Sequence, residues 1–129
     1  MDVIPERIKQ FLARHIPSIG VLEILLLLYG EPEKELSALD VSKICRMAAT
    51  SVETRLEYLL AAELLAAREV VGRRVYRYGP STVDLADTVA ELSKWYSSHR
   101  VAITSLVFSN PSDLVGPPRT ADGSRGLRN

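Results

Sequence analysis

Two apolar-striped stretches joined only by Met47-Ala48-Ala49 constrain this chain more than any other feature. The first spans about Ala38 to Arg46, with Ser37 available as its cap. The second begins near Thr50 and carries Val52, Leu56, Leu59 and Leu60 at helical spacing. Helices with so short a link form a corner, not a long hairpin. Apolar side chains of one helix must then meet those of the other, and Val41, Cys45, Met47, Val52, Leu56 and Leu59 supply them. Leu64 to Val71 reads as a strand, Gly72-Arg73 as a tight turn, and Arg74 to Tyr78 as a second strand ended by Gly79-Pro80.

Helical segments flank this unit. Pro5 to Arg14 reads as a short helix with Ile8, Phe11 and Leu12 on one side, interrupted at Pro17. Ser18 can cap a second helix that runs to about Tyr29 and stops at Gly30. Its Val21, Leu22, Leu25, Leu26 and Leu28 cover more than one face, which predicts a central, buried helix. Glu31 to Glu35 is a polar loop. After Ser81 or Thr82, Leu85, Val89, Leu92 and Tyr96 form a clean stripe that Trp95 widens. Ser97-Ser98-His99 bends the chain ahead of Val101, Ile103, Leu106, Val107 and Phe108. The last 20 residues, from Asn110, hold three prolines and three glycines and are expected to form a flexible tail. The fold class is therefore mainly α with a small β-hairpin. It is a winged helix-turn-helix over residues 1–109, with its core at about 18–80, helical extensions at both ends, and a tail over 110–129.

Leu36 to Val52 is similar to the helix-turn-helix of winged-helix transcription regulators, the MarR-like group among them. Glu57 to Leu65 resembles the end of their recognition helix and the entry to the wing, and Val70 to Tyr78 resembles the wing. The resemblance covers about residues 18–80. It implies a DNA-binding regulator that acts as a dimer, with the second corner helix presented to the major groove and the wing to the backbone or minor groove. It also places Thr50, Ser51, Glu53, Thr54 and Glu57 on the exposed part of the recognition helix. Ala49 and Glu53 stand where arginine or another donor is common in DNA readers. Glycine is usual at position 46 and frequent at position 63 in that pattern. Arg46 and Glu63 therefore predict a different local backbone shape at those two points.

Composition enters through charge. Sixteen lysines and arginines balance sixteen acids, which excludes a broad, indiscriminate basic surface. Divided by segment, the balance is uneven. Residues 31–63 hold Glu31, Glu33, Glu35, Asp40, Glu53, Glu57 and Glu63 against Lys34, Lys43, Arg46 and Arg55. The wing holds Arg68, Arg73, Arg74 and Arg77 against Glu69. Phosphate contacts supply much of DNA affinity, so the basic wing is the better candidate for contact with double-stranded DNA. The expected DNA-facing residues are Ala49, Thr50, Ser51, Thr54, Arg55, Arg68, Arg73, Arg74 and Arg77.

The stripes on the terminal helices exceed what so small a corner can cover. Phe11, Leu85, Val89, Leu92, Trp95, Tyr96, Val101, Leu106 and Phe108 are the expected interface of a homodimer, which would set two wings on one face of DNA. A winged-helix adaptor that binds protein and not DNA is the alternative, motivated by Glu53 and Glu57 on the presented helix. A small-molecule effector between the terminal helices and the corner is a further possibility that no residue identifies. Cys45 reads as a buried structural thiol, and a lone cysteine excludes an internal disulfide. His15 and His99 lie far from Cys45 and from each other, so neither a metal nor a cofactor is expected. Gly-rich phosphate loops, HExxH and GxSxG are absent, so the sequence does not read as an enzyme. The longest apolar run, Ile24 to Tyr29, is too short for a membrane span, and Met1 to Arg7 lacks the order of a secretion signal. Both point to a cytoplasmic protein.

Overall fold

In the computed structural model, which describes residues 3–108, nine elements follow in order. They are α1 (Glu6–His15), α2 (Ile19–Gly30), β1 (Leu36–Ser37), α3 (Ala38–Cys45), α4 (Ala49–Ala61), β2 (Leu65–Val70), β3 (Arg73–Tyr78), α5 (Val83–Ser98) and α6 (Arg100–Phe108). The tail expected from residue 110 lies outside the described residues. The chain divides into two units, one made from its ends (to Ile19 and from Lys94) and one from Gly20–Ser93. Among the described residues, no single helix is long and apolar enough to cross a membrane.

In the terminal unit, α1 starts after Pro5, whose fixed φ suits a helix entry. Its stripe of Ile8, Phe11 and Leu12 is buried, and α1 packs on α6, which buries Ile103 and Val107. The break foreseen at Ser97-Ser98-His99 separates α5 from α6 at His99. There the His99 N–H donates to the Trp95 carbonyl at 2.7 Å, and Ser98 Oγ lies 2.7 Å from His99 Nδ1.

In the central unit, α2 is apolar all round and buries Val21, Leu22, Ile24, Leu25 and Leu28, as a helix enclosed on several sides must. Val41 of α3, then Val52, Leu56 and Leu59 of α4, then Leu64, Leu65, Val75 and Tyr76, and finally Val89 and Leu92 of α5 complete its buried apolar set. Gly20 allows a close approach: a Cβ there would stand 2.6 Å from Arg55 Nε.

The corner is tied at both ends. Ser37 begins α3 with a capping box: its Oγ accepts the Asp40 N–H at 3.2 Å, and its own N–H donates to Asp40 Oδ2 at 3.0 Å. At the far end, Ser42 Oγ donates to the Met47 carbonyl at 2.6 Å while the Met47 N–H returns to the Ser42 carbonyl at 3.2 Å. Arg46 (φ 57°) and Glu63 (φ 67°) both adopt the left-handed backbone that glycine would have taken. The corner therefore keeps its usual shape in spite of these side chains. Glu63 is further held by Ser81, whose Oγ donates to its carboxylate at 2.6 Å.

Ser37→Ala is expected to lower stability by about 1 kcal/mol at pH 7, read as a shifted urea midpoint. The Ser37 backbone and hydroxyl hold the Asp40 carboxyl below its ordinary value. A depressed carboxyl stabilises the fold above its unfolded pKa, and that contribution is lost as pH falls through the lowered folded value.

The sheet corrects the expected two-stranded hairpin. It has three antiparallel strands in the order β1-β3-β2, with Leu36 opposite Tyr76 and Ser37 opposite Val75. The hairpin pairs Leu65 with Tyr78 and Val70 with Arg73, so its two-residue turn is Val71-Gly72 and not Gly72-Arg73. Both turn residues have positive φ, 50° and 74°, as a type I′ turn requires. Glycine meets that demand freely. Val71 does not, since the left-handed conformation costs an L-residue about 1–2 kcal/mol and suits β-branched side chains least.

Candidate nucleic-acid interface

Strand alternation sorts the wing arginines. Arg73 and Arg77 share one face of β3, and the register places Arg68 of β2 on that face as well. Arg74 and Tyr76 take the opposite face. There the Glu57 carboxylate of α4 meets them: Arg74 Nε donates to Glu57 Oε2 at 2.8 Å, and the Tyr76 hydroxyl donates to the same oxygen. Arg74 also stands 3.8 Å from Glu69 and lies over the Tyr76 ring, 5.6 Å from its centroid. Burial, aided by the neighbouring Glu57 carboxylate, pushes the Tyr76 phenol up to about 12. Glu57 is thus a strut between α4 and the wing.

Arg68 is likewise engaged. Its guanidinium forms a bidentate pair with Glu35 at 2.5 and 2.6 Å, and this holds the Glu35 carboxyl below its ordinary range. Arg73 and Arg77 are exposed, and neither has an ion-pair partner among the described residues. Among the described residues Arg77 donates to the Tyr78 carbonyl, at 3.3 Å. Lys43 and Arg46, at the end of α3, are exposed and without an ion-pair partner in the same sense. Sequence reasoning leaves these two out of the site. Their signal is their position at the turn that brings α3 beside the start of α4.

On α4 the expected residues Ala49, Thr50, Ser51 and Thr54 are all exposed. Thr54 Oγ1 already donates to the Thr50 carbonyl at 3.1 Å, which leaves it an acceptor on the outer face. Ala48 caps the helix without a side-chain bond, so the first-turn N–H groups point outward with no side-chain acceptor. Arg55 is different. It is half-buried against Gly20, with its Nη1 3.8 Å from the Met47 sulfur. Glu53 is exposed and without an ion-pair partner among the described residues.

Of the expected interface residues, Phe11, Val89 and Leu92 are buried within the single chain. Leu85, Trp95, Tyr96 and Leu106 are half-buried, and Val101 and Phe108 are exposed by 79% and 66%. In the terminal unit, Val3, Ile4, Ala102 and Leu106 line an apolar concavity of about 360 Å³, edged by Lys9 and His99. Cys45, expected to be buried, is half-buried, and desolvation raises its thiol pKa. That is the reverse of what a reactive thiolate needs.

No family model matches the chain, and no curated protein matches it. Among solved structures it is similar to MepR, a transcription regulator of the Staphylococcus aureus multidrug efflux pump MepA. The sequences are 15% identical, the match covers 85% of this chain and 86% of that one, and the TM-score is 0.56. A corner of α3 and α4, a wing of β2 and β3 and flanking helices, matched along most of both chains, make this a winged helix-turn-helix fold.

Proposed function

We propose that this chain is a transcription regulator that binds double-stranded DNA as a homodimer. The observation that carries the reading is the distribution of charge after internal pairing. Glu57, which by sequence makes the presented helix look hostile to phosphate, is paired with the Arg74 guanidinium and accepts a hydrogen bond from Tyr76. Arg73 and Arg77 on the wing, with Lys43 and Arg46 beside α4, are left facing solvent. The exposed hydroxyls of Thr50, Ser51 and Thr54 on α4 add hydrogen-bonding groups to these phosphate-binding cations. Glu53 suits a cytosine amine, which donates in the major groove. The likeness to a transcription regulator supports the same reading.

Val3, Val101 and Phe108 on the terminal unit, with the apolar concavity there, favour a second copy of the chain as their cover. An adaptor that docks protein through Glu53 and Glu57 is less favoured, because Glu57 is occupied within the chain. Cytoplasmic residence belongs to the same reading.

Sheared genomic DNA and the DNA upstream of the gene, titrated by fluorescence anisotropy over a range of salt, test the proposal. Affinity is expected to fall steeply with salt, by roughly 10³–10⁵ between 50 and 200 mM for six to ten phosphate contacts. Absence of binding to either DNA at 50 mM salt would overturn it.

A further inference from the structure

The face of β3 that carries Arg73 also carries Val75, and the register sets Val70 of β2 beside them. A concavity of about 350 Å³ opens over these residues, with Val71 and Asp40 of α3 completing its lining. Val75 is buried and Val70 half-buried, so they form an apolar floor, with the exposed Val71 at the rim. Its charged groups are one acid and one base. No ion pair joins Arg73 to Asp40 among the described residues. The Asp40 carboxyl, lowered first by its hydrogen bonds with Ser37, is lowered further by attraction to Arg73 across the concavity. Asp40 accepts the Ser37 N–H through Oδ2, and a carboxylate can accept about four hydrogen bonds, so most of its capacity is unspent.

We propose that this concavity binds a free α-amino acid with a short apolar side chain, its ammonium on Asp40 and its carboxylate on Arg73. A simple anion would face the Asp40 carboxylate, and a simple cation would face the Arg73 guanidinium. A neutral apolar molecule would strip water from both charges and return no hydrogen bond. A zwitterion satisfies both, and a carboxylate is the group that a guanidinium can hold by two parallel bonds. The valine floor then favours a side chain of valine or leucine size over glycine, through the apolar area it covers. An apolar wall with a few placed polar groups is the usual make-up of a small-molecule site. The consequence for DNA rests on the reading proposed above. An Arg73 that holds an amino-acid carboxylate is withdrawn from phosphate, so ligand and DNA oppose each other.

Titration of the isotope-labelled full chain with L-leucine, followed by NMR, tests the site. Saturable shifts are expected at Asp40, Val70, Val71, Arg73 and Val75, with a Kd of about 1 mM. Isocaproate, which lacks the ammonium, and isoamylamine, which lacks the carboxylate, should each bind about tenfold more weakly or worse. Asp40→Asn keeps an acceptor for the Ser37 N–H, and Arg73→Gln changes an exposed side chain, so both variants should fold. Each should lose about tenfold in leucine affinity. About 10 mM leucine should weaken wild-type DNA binding roughly tenfold, as a competitor at ten times its Kd does. No shifts at these residues with about 20 mM leucine, or equal binding of isocaproate or isoamylamine, would overturn the site. Leucine binding that leaves DNA affinity unchanged would overturn the competition for Arg73. A wild-type chain that binds leucine and ignores DNA at low salt would keep the site and overturn the functional reading alone.

Discussion

Arg73→Ala/Arg77→Ala is expected to weaken DNA binding roughly a hundredfold at about 150 mM salt, and Arg68→Ala to leave it close to wild type. All three are wing arginines, and by composition they are equivalent. Their surroundings are not. Arg68 is in a bidentate pair with Glu35, so its charge is cancelled before DNA arrives, and a phosphate would have to displace a carboxylate already at 2.5 Å. Arg73 and Arg77 have no direct ion pair to break among the described residues, only a longer-range attraction to Asp40 and to Glu35 respectively. Removing one arginine–phosphate pair should flatten the slope of log K against log salt by about 0.9, and in a homodimer each substitution removes two such pairs. Because both side chains are exposed, Tm should hardly change, so weaker binding would not reflect a damaged fold. Anisotropy titrations of the wild type and both variants at several salt concentrations give the comparison. Equal effects of Arg68→Ala and the double substitution would show that pairing within the chain does not govern which arginines reach DNA.

The same contrast marks what the sequence can reveal. Local rules are readable wherever the determinant lies within a few residues. Ser37 and Asp40 announce the start of α3, the spacing of Val52, Leu56 and Leu59 announces α4, and Ser97-Ser98-His99 announces the break before α6. The features that escape depend on distant partners. Strand β1 is two residues long and exists only through its pairing with β3, far along the chain, so no periodicity could reveal it. The wing turn differs by one residue from its expected place because glycine marks a turn without saying which of its two positions it fills. Val71, a poor candidate for the left-handed site, occupies the other. That one-residue difference matters for the site, since it makes Arg73 the first residue of β3, on the face of Arg77 and opposite to Arg74, instead of a turn residue. Segment charge totals place a basic wing beside an acidic helix. They cannot show that Glu57 and Glu35 reach across to Arg74 and Arg68 and cancel half of the wing's arginines. Arg46 and Glu63 make a related point: a position that prefers glycine does not reshape the backbone when packing and hydrogen bonds on both sides fix it.

The largest loss of stability is expected from Leu56→Ala, at about 2–5 kcal/mol, with Tm lowered by roughly 10 °C or more. Leu56 has no exposed surface and sits between Val52 and Leu59 on the inner stripe of α4, the helix that touches both α3 and β2. Truncation removes the buried side-chain atoms and leaves a cavity that the flanking elements cannot close. Ser42 fixes the corner at one end of α4, and the sheet register fixes the wing beyond the other. Thr54→Ala, on the exposed side of the same helix, should change stability by no more than about 0.5 kcal/mol. Urea melts of both variants decide the matter: a lower midpoint with an unchanged m-value for Leu56→Ala is the expected result. A loss below about 1 kcal/mol would mean that α4 can settle inward to fill the space. In that case the presented face would not be rigidly seated, and Thr50, Ser51 and Thr54 would reach the DNA only after α4 had been ordered by it.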